Sequence, residues 1–256
     1  MSITWLASYP KSGNTWLRFM LANIIAGGPP ACSADVSRLI PDIHRRGDLD
    51  GVSGDLFVKT HFMRTGKHPM IADTARAVHV VRHPRDVLLS ALNYRRMEGV
   101  IEGLTDEQYA RAFIAGSGDP LWAKLGYGSW TAHAASWSQA TPWPVLTVRY
   151  EDLKADTAGV LRRVLGFVGL DASDAAVARA VAQSTFDNLR ALEVRERASK
   201  TPGLFPGSGA DTRAGRFFFN KGTSGRSLDT IRPGLDASFD ARFAPALARL
   251  GYPPEG

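Results

Sequence analysis

Apolar and polar positions along the chain fall into short apolar runs, several of which feed directly into a stretch with helical spacing. Ile3–Tyr9 is the first run, ended by Pro10-Lys11-Ser12-Gly13, and Thr15–Ile25 is then almost uniformly apolar. The reading is a buried strand, a glycine-containing turn and a buried helix, which Gly27-Gly28-Pro29-Pro30 stops. Leu56–Thr60 and Ala77–Arg82 are two more short strands, and Val87, Leu88, Ala91 and Leu92 give Asp86–Tyr94 a helical apolar face. A helix over Trp130–Ala140, a strand over Pro144–Arg149 and an amphipathic helix over Thr157–Val168 follow, with a further helix over Asp171–Gln183. Beyond Ser184 the pattern loosens. Thr201–Gly215 is dense in Pro, Gly and Ser and reads as a mobile loop, before a last helix over Phe239–Leu250. Strands alternating with helices predict an α/β fold: a central parallel sheet flanked by helices on both faces, with a P-loop-like strand-turn-helix at the N-terminus. No repeat or linker divides the chain, so residues 1–256 are expected to form one domain.

Composition narrows the class. Of 256 residues, 44% are hydrophobic and 22% charged, which excludes a disordered, collagenous or disulfide-stapled protein. Cys32 is the single cysteine, and Met1–Tyr9 lacks the basic and long apolar regions of a signal peptide. No apolar run reaches the roughly 18 residues of a membrane span. A cytoplasmic protein without membrane contact is the expectation. The formal charge is +6, and between Arg190 and Arg232 nine basic residues stand against four acidic ones, an excess of five. Such a stripe points either to a polyanionic ligand or to a solvated basic face.

Candidate chemistry begins at the turn Pro10-Lys11-Ser12-Gly13-Asn14-Thr15. A strand-to-helix junction offers unpaired N–H groups and a positive dipole end to an anion, and Lys11, Ser12, Asn14 and Thr15 add side-chain donors. The plainer alternative is an ordinary turn whose Ser and Thr cap the helix. GxxxxGK[ST] is absent, because the lysine precedes the glycine. The longer string Ser8-Tyr9-Pro10-Lys11-Ser12-Gly13-Asn14-Thr15-Trp16 closely resembles the YPKSGTTW signature of sulfotransferases that use 3′-phosphoadenosine 5′-phosphosulfate (PAPS), with Asn14 in place of the commoner Thr. The resemblance implies that Lys11, Ser12, Gly13, Asn14 and Thr15 wrap the 5′-phosphosulfate, with Lys11 on the transferring group and Trp16 near the adenine.

Further segments follow in that family's order. Val80-Val81-Arg82-His83-Pro84, with Ser90 eight residues after Arg82, resembles the pair that holds the 3′-phosphate, a task suited to a bidentate guanidinium. Val58-Lys59-Thr60-His61 resembles the Lys-Thr/Ser-His segment, which makes His61 the candidate base; general base catalysis contributes about 10²–10⁴-fold. His44, His68, His79, His83 and His133 lack that strand-end context. Tyr150-Glu151-Asp152-Leu153 and Ser184-Thr185-Phe186 are similar to the family's YEDL and TSF segments, implying that Tyr150, Ser184 and Phe186 line the adenine. Phe218-Phe219-Asn220-Lys221-Gly222-Thr223-Ser224-Gly225 resembles the RKGxxG loop, with Lys221 and Gly222 on the 3′-phosphate. Asn220 stands where the family has Arg, and Arg226 replaces a common acidic residue; Arg216 or Arg226 is the expected substitute.

The resemblance therefore implies an enzyme, a PAPS-dependent sulfotransferase releasing 3′,5′-ADP, with His61, Lys11 and Lys59 catalytic and no metal required. Its partner is a small-molecule hydroxyl or amine acceptor, with no nucleic acid. A homodimer is an open expectation, since the family's dimerisation segment has no recognisable counterpart in Ser227–Asp240. The aromatic-rich Tyr94–Trp143, with Thr201–Phe219, is expected to form the acceptor pocket and its lid. A P-loop nucleotide kinase or other phosphate-binding NTPase is the alternative. It needs an acidic Mg²⁺ ligand at a strand end, where this chain has Lys59-Thr60-His61 and Arg82-His83.

Overall fold

Four strands form one parallel sheet in the order β2-β1-β3-β4: β1 Ser2–Ser8, β2 Asp55–Thr60, β3 Thr74–Val81 and β4 Val145–Arg149. The computed structural model describes residues 2–51 and 53–253. Between β1 and β2 lie α1 (Asn14–Ile25) and α2 (Ser33–Leu39). After β3 come α3 (Pro84–Met97), α4 (Asp106–Ala115), a short α5 (Pro120–Trp122) running into a π-turn over Ala123–Tyr127, and α6 (Trp130–Ser138). Beyond β4 the chain is helical: α7 (Tyr150–Ala155), α8 (Thr157–Val168), α9 (Asp174–Gln183), α10 (Phe186–Ser199), α11 (Gly209–Arg213) and α12 (Leu235–Arg249).

Side-chain alternation in β1 explains why helices cover both faces. Leu6, with Val78 and Val80 of β3, packs into one core with α1, α8 and α9. Ile3, Trp5 and Ala7 point the other way, against Val58, Ala77 and Trp137 of α6. A strand buried on both faces needs a nearly continuous apolar run, which is how β1 reads. Register then aligns the strand ends. Ala7 pairs with Thr60, Ser8 with Val80, and Val81 with Arg149. The turn after β1, His61, Arg82 and Tyr150 therefore all emerge at one carboxyl edge, where the strand order reverses around β1. Ligands of open parallel sheets bind at such a switch point.

Two expectations fail beyond Ser184. The loosened pattern conceals α10, whose buried face carries Glu193 (0% exposed) and Glu196 (6%) beside Leu189 and Leu192. Thr201–Gly215 is pinned rather than loose. Leu204 N–H donates to Ser33 Oγ (2.8 Å), Arg197 donates to the Pro206 carbonyl (2.6 Å), and Phe205 stacks on Phe19.

Candidate active site

A cavity of about 740 Å³ opens at the strand edge, lined by nine lysines and arginines and by two carboxylates, Asp42 and Glu98. Both carboxylates are paired, Asp42 with Lys59 (2.7 Å) and Glu98 with Arg95 (2.9 Å). The first wall is the turn after β1. Gly13 takes φ +98°, and a Cβ there would stand 2.5 Å from the Tyr150 ring, so glycine is required. No side chain caps α1, contrary to the plainer reading of the turn, and Asn14, Thr15 and Trp16 of its first turn line the cavity. Asn14 turns its amide inward to the Leu6 carbonyl (2.8 Å) and so braces the turn. Ser12 Oγ and Lys11 Nζ are buried and, among the described residues, make no hydrogen bond. Lys11 Nζ lies over the Phe218 ring (3.6 Å) and the Tyr94 ring (4.5 Å). Burial lowers this ammonium to about 7.

Next to the turn, Trp16 donates to the Ser184 carbonyl (2.8 Å) and meets Tyr150 edge-on. Trp16, Thr15, Tyr150 and Phe186 line the cavity, whereas Ser184 is buried and reaches it only by bracing Trp16. Arg82 stacks over Tyr150 (4.2 Å) and donates to the Lys11 and Thr223 carbonyls (3.3 and 3.1 Å), which ties the first turn to the late loop. Its Nε is buried without a partner among the described residues, as are Arg226 Nε and Ser224 Oγ. Ser90, Lys221, Gly222 and Arg226 complete this end. Gly222, at φ +62°, lies against Phe186, where a Cβ would meet the ring at 2.8 Å.

Much of the late basic stripe builds this loop instead of facing a ligand. Arg190 donates to the Phe219 and Asn220 carbonyls (2.5 and 2.6 Å), and Arg197 pairs with Glu193 (2.6 Å). Glu193 in turn accepts from Phe218 N–H and Phe219 N–H. Arg216 bonds Asp211 and does not line the cavity, so of the two expected substitutes for the missing arginine only Arg226 lines it.

Opposite lies His61. Its Nδ1 stands 2.6 Å from the Ser8 carbonyl, which can only accept, so Nδ1 carries the proton and Nε2 keeps its lone pair. Burial, Lys59 and His44 hold the ring well below the usual histidine range, hence neutral. His44, passed over in the sequence, also lines the cavity and stacks on His61. Its Nε2 already accepts the His61 backbone N–H (2.6 Å), so it has no free basic nitrogen. Beside these rings stand Tyr94, Glu98, Trp122, Leu125 and Tyr127, with Leu204, Phe205 and Phe218 from the late segment. Of the aromatics expected there, Tyr109, Phe113, Trp130 and Trp137 are core residues instead.

Three comparisons place this geometry. Human Sulfotransferase 2B1 is 26% identical over 93% of this chain, and the chain spans 64% of that protein's length. The guinea pig 3-alpha-hydroxysteroid sulfotransferase is 26% identical over 98% of this chain and 85% of its own. Among solved structures, mouse sulfotransferase SULT7A1 complexed with PAP superposes with a TM-score of 0.66 at 23% identity, covering 96% of this chain and 84% of that one. Retinol dehydratase in a complex with retinol and PAP gives 0.69 at 18%, covering 96% and 81%. The family model for the sulfotransferase domain matches residues 2–251, and on that match this chain belongs to the sulfotransferase family.

Proposed function

We propose that this chain, as one domain, moves a sulfuryl group from PAPS to a hydroxyl of a small apolar alcohol or phenol, releasing 3′,5′-ADP. One observation carries the reading: a single cavity joins Lys11, Arg82 and Arg226, each with a buried nitrogen unpaired among the described residues, to a neutral histidine with its lone pair free. The expected Ser12 hydroxyl is buried beside this cradle and does not line the cavity. The new bond is acceptor oxygen to sulfur, and the bond that breaks joins sulfur to the bridging oxygen of the phosphosulfate. His61 Nε2 takes the acceptor proton. Lys11 and the N–H groups of α1 face the charge that grows on the leaving phosphate, and Lys59 faces the sulfuryl oxygens. Trp16, Tyr150 and Phe186 hold the adenine. The kinase alternative is weaker, because both cavity carboxylates are committed to cations of this chain.

Arg82, Ser90, Lys221, Gly222 and Arg226 hold the 3′-phosphate, with Arg226 replacing the guanidinium that Asn220 lacks. Arg226 is half-buried, and burial and the like charge of Arg82 lower its guanidinium while Asp86 opposes them, a balance that an anion relieves. For the acceptor, the ring-lined wall of Tyr94, Trp122, Tyr127 and Phe218 favours a flat apolar molecule over a glycan. The names of the relatives, a hydroxysteroid sulfotransferase and a protein crystallised with retinol, fit the same class. No helix among the described residues is long and apolar enough to cross a membrane, and we infer a cytoplasmic location, where a lone unpaired cysteine is ordinary.

Turnover of PAPS against phenols, sterol-like alcohols, amines and glycans tests the reading, together with titration of 3′,5′-ADP, 5′-AMP and ATP. Preference for 3′,5′-ADP over 5′-AMP is expected and should shrink about 10- to 100-fold in R226A. Equal affinity for the two nucleotides in the parent protein, or binding of ATP alone, overturns it.

A further inference from the structure

The side chain that faces Lys59 comes from a segment outside every motif of the sequence. Pro41–Ile43 runs beside the end of β2. Lys59 N–H donates to the Pro41 carbonyl (2.8 Å) and Ile43 N–H to the Lys59 carbonyl (3.2 Å), which pairs Asp42 with Lys59 in a parallel bridge. Asp42 Oδ2 lies 2.7 Å from Lys59 Nζ, with the two side chains only 9% and 11% exposed. The other carboxylate oxygen accepts the His44 N–H (3.0 Å), and the Asp42 N–H donates to Asp48 (3.1 Å), so the direction of the carboxylate is set by its own backbone. One residue further, His44 receives the backbone N–H of His61. The segment thus touches both groups assigned to the acceptor side.

The surrounding charges are mostly cationic. Lys59 is faced by Arg18 of α1, by His44 and Arg45 of the 42–45 turn, by Lys11 after β1 and by His61, with Asp42 as the anion in contact and Asp48 beyond it near Arg18. Burial and Arg18 bring the Lys59 ammonium down to about 8, and Asp42 opposes them. An unpaired cation in this position is unfavourable by both burial and repulsion.

We propose that Asp42 is the positioning residue for Lys59: presented by the bridge beside β2, its carboxylate holds the ammonium at the cavity wall next to His61 and leaves two N–H bonds for an anionic oxygen. The catalytic value of that hold rests on the sulfuryl-transfer reading, whereas the hold itself does not. Competitive acetylation of the nucleotide-free protein, read by mass spectrometry, tests the hold without turnover. D42N is expected to move the midpoint of Lys59 labelling down by about 1 to 3 pH units, with exposed Lys67 unmoved. In kinetics, D42N should lower kcat about tenfold and shift the alkaline limb of its pH profile downward, with 3′,5′-ADP affinity within about twofold and partial recovery in D42E. An unchanged labelling midpoint, or a pH profile superimposable on the parent's with only a lowered Tm, overturns the proposal. A parent protein inert toward PAPS whose Lys59 still shifts in D42N supports the hold and overturns the transferase reading instead.

Discussion

The two ends of the cavity are built on opposite principles. At the nucleotide end, Lys11, Ser12, Arg82, Ser224 and Arg226 bury donors that no group among the described residues satisfies. At the acceptor end, charges are closed internally: Lys59 on Asp42, and Arg95 on Asp119 and Glu98. A buried unpaired donor costs about 1–3 kcal/mol, so the first end is held in an unfavourable state that an anion relieves. The second pairs its main charges within the chain, although Arg18 Nε stays unpaired among the described residues, and ring faces make up much of its wall. Difference in charge pairing, more than difference in composition, separates an anion cradle from an acceptor wall.

That division is broken most forcefully at His61. His61→Gln is expected to cut kcat by about 10²–10⁴-fold while 3′,5′-ADP affinity stays within about twofold. Steady-state kinetics and calorimetry on one preparation give both numbers. Parallel losses in a folded variant would mean that the ends are not separable and that His61 is not the base. Gly13→Ala makes the converse cut. A residue at φ +98° costs about 1–2 kcal/mol in backbone alone, and its Cβ would displace Tyr150 from Trp16. Nucleotide affinity should drop about 100-fold and Tm by about 2–8 °C; retained affinity would remove the turn from the binding site.

The same division decides what could be read from the sequence. The nucleotide end is carried by contiguous strings, so β1, the turn and α1 are legible to within a residue or so of their observed limits, and Lys11 and Gly13 line the cavity with them. Acceptor-side residues are scattered, and each has a second job that hides it. Asp42 looks like one polar residue between Pro41 and Ile43, because its meaning lies in a bridge to Lys59 that only the fold creates. His44 has no strand-end context in the sequence, yet it reaches the cavity from the turn after that bridge. α10 escaped for a physical reason too: its inner face buries Glu193 and Glu196, which hold backbone N–H groups of other segments, so no apolar stripe marks it. The basic stripe was half misread for the same cause, Arg190 and Arg197 serving the loop instead of a ligand.

A smaller effect is expected behind the acceptor wall. His79 is 1% exposed, and burial lowers it to about 3, with His133 buried beside it. A folded-state value below the unfolded 6.5 gives stability that is complete above pH 6.5 and lost as the pH falls. At pH 5 the loss from His79 is about 2 kcal/mol. Urea unfolding at pH 7 and pH 5 should show it, and His79→Phe should flatten the difference. Identical pH slopes in both proteins would show that this ring is already solvated or paired.

The mildest test discriminates between two forces on Lys11. Burial lowers its ammonium to about 7, while the Phe218 and Tyr94 ring faces favour the charged form, an attraction of up to about 2 kcal/mol when desolvated. An anionic nucleotide raises the value in the complex. Binding then takes up a proton above pH 7, so affinity is complete below 7 and declines as the pH rises. With burial dominant, 3′,5′-ADP affinity falls about fivefold from pH 7 to pH 8, and calorimetry in buffers of different ionisation enthalpy registers the proton taken up. The phosphates add little slope in that interval, being about 90% doubly ionised at pH 7 and about 99% at pH 8 with a second pKa near 6. Lys11→Arg, charged throughout, should abolish the decline. A flat profile in the parent protein would show that the ring faces outweigh burial, making the nucleotide end as internally satisfied as the acceptor end.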